Sequence, residues 1–344
     1  MAKRIGNKTL ILSSSPSIIG YAAVGAKKEK QGPLSGYFDL LSDDSSFGQK
    51  TWEKAETHMQ KTAIELALQK CNTQKDQIDF LFAGDLLNQC ISSAYASRDM
   101  LIPFFGLYGA CSTMSESLCL ASMFVDTGLG QRCLAATSSH FCSAERQFRF
   151  PLEYGGQRTP TAQWTVTGSG ACVVAPSVQA PFIRAVTVGT VQDLGITDIN
   201  NMGAAMAPAA AKTLCQFFSD TRTRPEDYDM ILTGDLGFVG SRLLERLMQA
   251  EGYPMAKLHN DCGLMIYDRK KQDVHAGGSG CGCAASGLCS FILPQIACQR
   301  LKNVLFLATG ALMSPTSTQQ GESIPGIAHL VYLSSTPNPK EVIC

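Results

Sequence analysis

The residues best placed to do chemistry lie in "YGACSTMSESLCLAS", positions 108–122, where Cys111 stands at the head of a helix-like run. A cysteine that opens a helix sits beside unpaired backbone N–H groups, which stabilise its thiolate, so the stretch predicts a reactive thiol. A second cysteine loop, "GCGCAASG" at 280–287, repeats the arrangement with Cys281 after Gly280. A nucleophilic thiol also needs a proton acceptor and a donor to the oxyanion it creates, and the five histidines are the first candidates. His58 falls in a helical stretch facing solvent and His329 in a core strand. His259 and His275 lie in the segment before the second cysteine loop, within reach of the site.

The elements that would position these groups follow from a repeat. "DQIDFLFAGDLLNQ" resembles "EDYDMILTGDLGFVG", which sets Gly84-Asp85 against Gly234-Asp235. "ACSTMSESLCLAS" matches "GCGCAASGLCSFI", with Cys111 opposite Cys281, and "RCLAAT" ending at Thr137 pairs with "VLFLAT" ending at Thr309. Each half closes on a glycine-led apolar strand. Four matches in one order predict a duplicated α/β unit. The second half carries 46 residues from Asp235 to Cys281 against 26 from Asp85 to Cys111. The halves are read as residues 1–177, carrying Cys111, and 178–344, carrying the GCGCAASG loop. The helices that follow the two cysteines are rich in Ser, Ala, Gly and Cys. Small residues on all faces allow close approach, so both helices are expected to pack against each other between two sheets.

Composition narrows the function. Twenty-nine basic residues balance twenty-nine acidic ones, so no global charge draws the chain to nucleic acid. The fourteen cysteines are spread through apolar segments and read as small buried hydrophobes. No run approaches the roughly 18 apolar residues of a membrane span. Cys262, His275, Cys281 and Cys283 lack the paired spacing of a structural zinc site, and no metal or cofactor is expected.

The phrases "AGDLLNQ", "GACSTMSES", "AATSSHFCSAERQFRFPLEYGGQ", "NDCGLMIY", "AGGSGCGC" and "LATGALMSPTS" run in order through nearly the whole chain. They resemble the thiolase and ketoacyl-synthase superfamily of condensing enzymes and, within it, the stage V sporulation protein AD family. The resemblance implies a thiolase-like fold: two pseudo-symmetric α/β halves stacked as an α-β-α-β-α sandwich. It further implies binding of dipicolinic acid, pyridine-2,6-dicarboxylate, with or without calcium. The implied setting is a peripheral place at the inner membrane of the developing spore, alongside SpoVA-type membrane proteins that move calcium dipicolinate in and, at germination, out. A homodimer is likewise implied.

Against that superfamily the residues depart at two points. Where ketoacyl synthases place a histidine after the second-half strand, this chain offers Asp235, and where thiolases have the histidine of "GHPxGxSG", it has Cys281. A carboxylate donates no hydrogen bond to an oxyanion unless protonated. A relict nucleophile in a binding protein is therefore expected; the alternative is a thioester-forming acyltransferase or condensing enzyme that uses Cys111 with a partner such as His259. For a flat aromatic dianion, the backbone donors at Gly280 and at the Cys111 turn would suit a carboxylate. The segment "HFCSAERQFRFPLEYGGQR" adds His140, Arg146, Arg149 and Arg158, with Arg146 and Arg149 three apart on one helix face. The ordinary alternative pairs these arginines with Glu145 and Glu153, or sets them in a subunit interface. Cys111, His140, Arg146, Arg149, Asp235, His259, Gly280 and Cys281 are thus the expected ligand-binding set. The methionine-rich "NMGAAMAPAAAKTLCQFF" is expected to be a helix beside the pocket or the partner half.

Overall fold

The computed structural model describes residues 2–148 and 158–338. Five strands of the first half, β1 (Ser17–Gly25), β2 (Phe80–Gly84), β3 (Phe104–Gly106), β4 (Cys133–Ser139) and β5 (Gly168–Ala175), lie in the order β1-β5-β4-β2-β3. Five more, β6 (Phe182–Thr187), β7 (Met230–Thr233), β8 (His259–Asp261), β9 (Asn303–Ala311) and β10 (Gly326–Ser334), lie in the order β6-β10-β9-β7-β8. In both sets the first strand is antiparallel to the fifth and the fifth to the fourth, whereas the fourth, second and third run parallel. The sets are joined where Phe182 lies opposite Ser17.

The strands form because their apolar runs are buried on both faces. Cys133 and Ala135 of β4 point into the central core while Leu134 and Ala136 point outward, and Cys172 and Val174 of β5 alternate with Ala171 and Val173 in the same way. In the second set Val304, Phe306 and Ala308 face the centre, and Leu305 and Leu307 face the outer layer. This period of two with both faces apolar is what a doubly covered sheet requires.

The covering helices complete five layers. Helix α1 (Trp52–Lys70) lies outside the first sheet, its Met59, Ala63, Ile64 and Ala67 buried against that sheet's outer side. Helix α2 (Thr113–Thr127), which follows Cys111, lies between the sheets and touches strands of both. Helix α3 (Phe141–Phe148) leaves the end of β4. Helices α4 (Met202–Thr221) and α5 (Gly237–Ala250) cover the second sheet. Helix α6 (Cys281–Gly287) enters the central layer beside α2 and continues as one π-turn over Leu288–Ile292. The expected sandwich, with two small-residue helices in its centre, is the architecture observed. Every described cysteine is free, and most are buried in these layers. No helix among the described residues is long and apolar enough to cross a membrane.

Candidate functional site

The two central helices begin against strands of the opposite half. The turn before α2 crosses β9 at Gly310, where any Cβ would run into the Gly109 carbonyl oxygen. The start of α6 crosses β4: Cys281 Sγ donates to Ser138 O at 2.9 Å, and Thr137 Oγ1 donates to Cys281 O at 3.0 Å. The duplication therefore brings Cys111 and Cys281 into one small apolar cluster with Leu86 and Ala144.

Cys111 does not start the α-helix. It lies in a 3-10 turn, Ala110–Ser112, entered through Ala110 at φ +51°, and the α-helix begins at Thr113. Two backbone donors at this turn are already used: Gly109 N–H donates to Thr113 Oγ1 at 3.1 Å and Ser112 N–H to Gly109 O at 3.1 Å. The expected activated thiolate is accordingly corrected. Burial holds the Cys111 thiol well above its ordinary range, and the Asp235 carboxylate and Cys281 push it further the same way. Only 5 % of the residue is exposed.

Asp235 is the centre of the site. It follows β7 and is fully buried; Oδ2 accepts from Gly280 N–H at 2.9 Å and from Ser279 Oγ at 3.1 Å, and Oδ1 accepts from Thr309 Oγ1 at 2.9 Å. The Cys111 thiol lies beside this cluster, 4.0 Å from Ser279 Oγ. Burial raises its pKa to about 6 while these hydrogen bonds pull it down, so the anion predominates at neutral pH. Gly280 has φ +108°, a conformation that favours glycine, and a Cβ there would press on Ser139 Oγ. The backbone donor that a ligand or oxyanion would use is thus taken by an aspartate of the same chain.

A cleft of about 40 Å³ opens above Cys111. Leu86, Tyr108, Phe148, Met202, Ala311 and Met313 make its apolar wall, and Ser279, Thr165 and Glu145 its polar one. Ser279 and Thr165 stand side by side because the short strands Trp164–Thr165 and Gly278–Ser279 pair in register. Met202 opens α4, so the methionine-rich helix does reach the pocket.

Of the expected binding set, the fold brings Cys111, Asp235, Gly280 and Cys281 together, and His140, Arg146 and His259 are held elsewhere. His140 is buried with Nε2 2.8 Å from Ser45 O and its ring 5.3 Å from that of Trp52. Arg146 pairs with Glu53 on the outer side of α3. His259, expected within reach of the cysteine, is clasped by Thr233 Oγ1 at 2.9 Å and Glu245 Oε1 at 3.4 Å, and burial lowers its pKa. His275 lies 2.9 Å from Asp273 Oδ1. Arg149 falls outside the described residues. Arg158 does pair with Glu145, at 2.7 Å, whereas Arg146 does not. Sequence reasoning did not place Ser279, Thr309 or Tyr108 in the site, and it named Glu145 only as a partner for an arginine. Thr309 had a signal, since its position in the repeat puts it at a strand end next to the Gly-Asp turn.

Two mixed sheets of this order around paired central helices, with a cysteine at the head of the first, define a thiolase-like protein. The fold is shared with 3-oxoacyl-[acyl-carrier-protein] synthase III from Aquifex aeolicus VF5, at 14% identity and TM-score 0.55 over 93% of this chain and 99% of that one. It is shared as well with a variant of OleA from Xanthomonas campestris, at 14% identity and TM-score 0.58 over 96% of this chain and 100% of that one. The sequence itself matches the family model for stage V sporulation protein AD (SpoVAD) across residues 6–334. It is 49% identical over 327 residues to the stage V sporulation protein AD of Bacillus subtilis (strain 168), covering 95% of this chain and 96% of that protein. The chain belongs to the stage V sporulation protein AD family.

Proposed function

We propose that this chain is a non-catalytic dipicolinate-binding protein that serves, at the inner spore membrane, a complex of SpoVA-type membrane proteins moving calcium dipicolinate. In this reading the former condensing site is the ligand cleft. The observation that carries it is the Asp235 carboxylate on the Gly280 N–H at 2.9 Å, beside the Cys111 thiol. A condensing enzyme needs a thiolate nucleophile and neutral or cationic donors for the thioester oxygen. This site instead has a fixed anion that opposes both the thiolate and the oxyanion, and no histidine of the described residues lines the cleft.

The cleft walls suit a small planar ligand. Its enclosed space is less than a pyridine dicarboxylate requires, and Met202 and Met313, unbranched and with several rotamers, are the side chains that give way. Tyr108 and Phe148 offer aromatic faces to the ring. Calcium fits the charge balance, because a neutral one-to-one chelate meets less repulsion from Asp235 and Glu145 than a free dianion does.

The test is calorimetric titration with dipicolinate, with and without calcium, next to incubation with acyl-CoA and mass spectrometry of Cys111. Saturable binding with an unmodified thiol is the expected result. Acylation of Cys111 would instead establish a thioester enzyme.

A further inference from the structure

Among the described residues, no lysine or arginine lines the Cys111 cleft, and its one charged wall residue is Glu145. A ligand carboxylate that leaves water for such a place requires a cation or a set of donors. One guanidinium lies a single hydrogen bond behind the wall. Arg158 Nη2 donates to Glu145 Oε1 at 2.7 Å, and the same oxygen accepts from Thr165 Oγ1 at 3.2 Å. Both Glu145 and Thr165 face the cleft.

Arg158 is held in place from the other side by aromatic rings. Its guanidinium carbon lies 4.5 Å from the centroid of Trp164 and 5.2 Å from that of Phe141, and these rings stack 4.0 Å apart at 13°. The side chain is 15% exposed. Its Nη1 is buried and has no hydrogen-bond partner among the described residues. A guanidinium is a planar fork suited to both oxygens of one carboxylate, so a buried Nη1 without a partner is an unspent donor beside the cleft.

We propose that Arg158 is the group that receives a ligand carboxylate in this cleft, and that Glu145 is an internal competitor that a ligand displaces from it. This rests on the reading of the Cys111 cleft as a carboxylate-binding site. Exchanging one carboxylate for another leaves the charge on the guanidinium compensated, and the incoming group gains Nη1 as well. The Trp164 and Phe141 rings limit where the guanidinium can move, which lowers the entropy lost on binding.

The experiment is calorimetric titration of the full chain in EDTA with pyridine-2,6-dicarboxylate, and separately with pyridine-2-carboxylate and benzene-1,3-dicarboxylate. Arg158→Lys keeps the charge but loses the fork, and more than a tenfold loss of affinity is expected. Glu145→Gln removes the competing charge, and a several-fold gain is expected. Thermal unfolding of each variant separates a binding effect from misfolding. Unchanged affinity in Arg158→Lys, or a loss in Glu145→Gln, overturns the proposal. If the unaltered chain ignores dipicolinate yet binds another of these carboxylates through Arg158, the dipicolinate reading falls and this inference stands. Binding of none of them overturns both.

Discussion

The Asp235 carboxylate accepts the Gly280 backbone N–H at 2.9 Å, joining the strand-end turn of the second half to the glycine loop that opens helix α6. This bond fixes the electrostatic character of the site, because it sets a buried anion next to the Cys111 thiol. Cys111 should therefore be a poor nucleophile. With iodoacetamide at pH 7.5, the exposed Cys298 should be alkylated while Cys111 stays intact. Asp235→Asn retains an acceptor for Gly280 and removes the charge, so alkylation of Cys111 should speed up at least tenfold, a change of about one pKa unit. Peptide mass spectrometry over time reads both rates, and equal rates at Cys111 and Cys298 in the unaltered chain would refute the assignment.

The same residue makes a signed prediction for stability against pH. Asp235 is raised by burial from 3.8 to about 6, so the folded state holds its proton more tightly than the unfolded chain does. Its contribution is fully present below pH 3.8 and is lost as pH rises through 6. Asp261 behaves alike, also being raised to about 6, whereas His329, lowered by burial from 6.5 to about 4, stabilises above 6.5 and loses that effect as pH falls towards 4. Because these oppose one another, the informative quantity is a difference. The stability of the unaltered chain minus that of Asp235→Asn should grow as pH falls from 7 to 4. Urea unfolding at several pH values measures it, and a gap that shrinks over this range would show that Asp235 is not the raised group.

Gly310 is predicted to tolerate no side chain. A Cβ there meets the Gly109 carbonyl oxygen and crowds Ser112 N, both backbone atoms of the Cys111 turn. Gly310→Ala should cost about 2 kcal/mol or more, the range of overpacking in a closed interior. Gly128→Ala is the control: it ends α2 at φ +77° with open space around it, and should cost about 1 kcal/mol from backbone strain alone. Denaturant midpoints of the two variants decide the matter, and equal costs would mean that the contact at Gly310 is relieved by backbone movement.

Ala311 offers a way to close the cleft without touching its polar groups. It is 4% exposed and belongs to the apolar wall of the pocket. Ala311→Leu should fill the enclosed space, weaken dipicolinate binding more than tenfold, and shift the thermal midpoint only modestly where Met202 and Met313 make room. Unchanged binding would move the ligand out of this cleft.

Much of this protein was legible in its residues. The paired Gly-Asp turns, the two cysteine loops and the matched strands announce a duplicated α/β unit, because each motif satisfies a local requirement: a strand that alternates inward and outward, or a helix start with no bulk. That Asp235 and Cys281 stand where the resemblance to condensing enzymes leads one to expect histidines is equally read from the sequence. Tertiary structure alone decided the rest. The head of a helix suggests a thiolate, but burial beside Asp235 keeps Cys111 protonated, and burial cannot be read from a local string. Arg146 and Arg158 are indistinguishable as basic residues in one segment. One turns outward to Glu53, and the other is fixed by Trp164 and Phe141 behind the wall of the cleft. Where each guanidinium ends up depends on packing, such as the pairing of Arg146 with Glu53 from a distant helix, and the order of the amino acids sets that only through the fold.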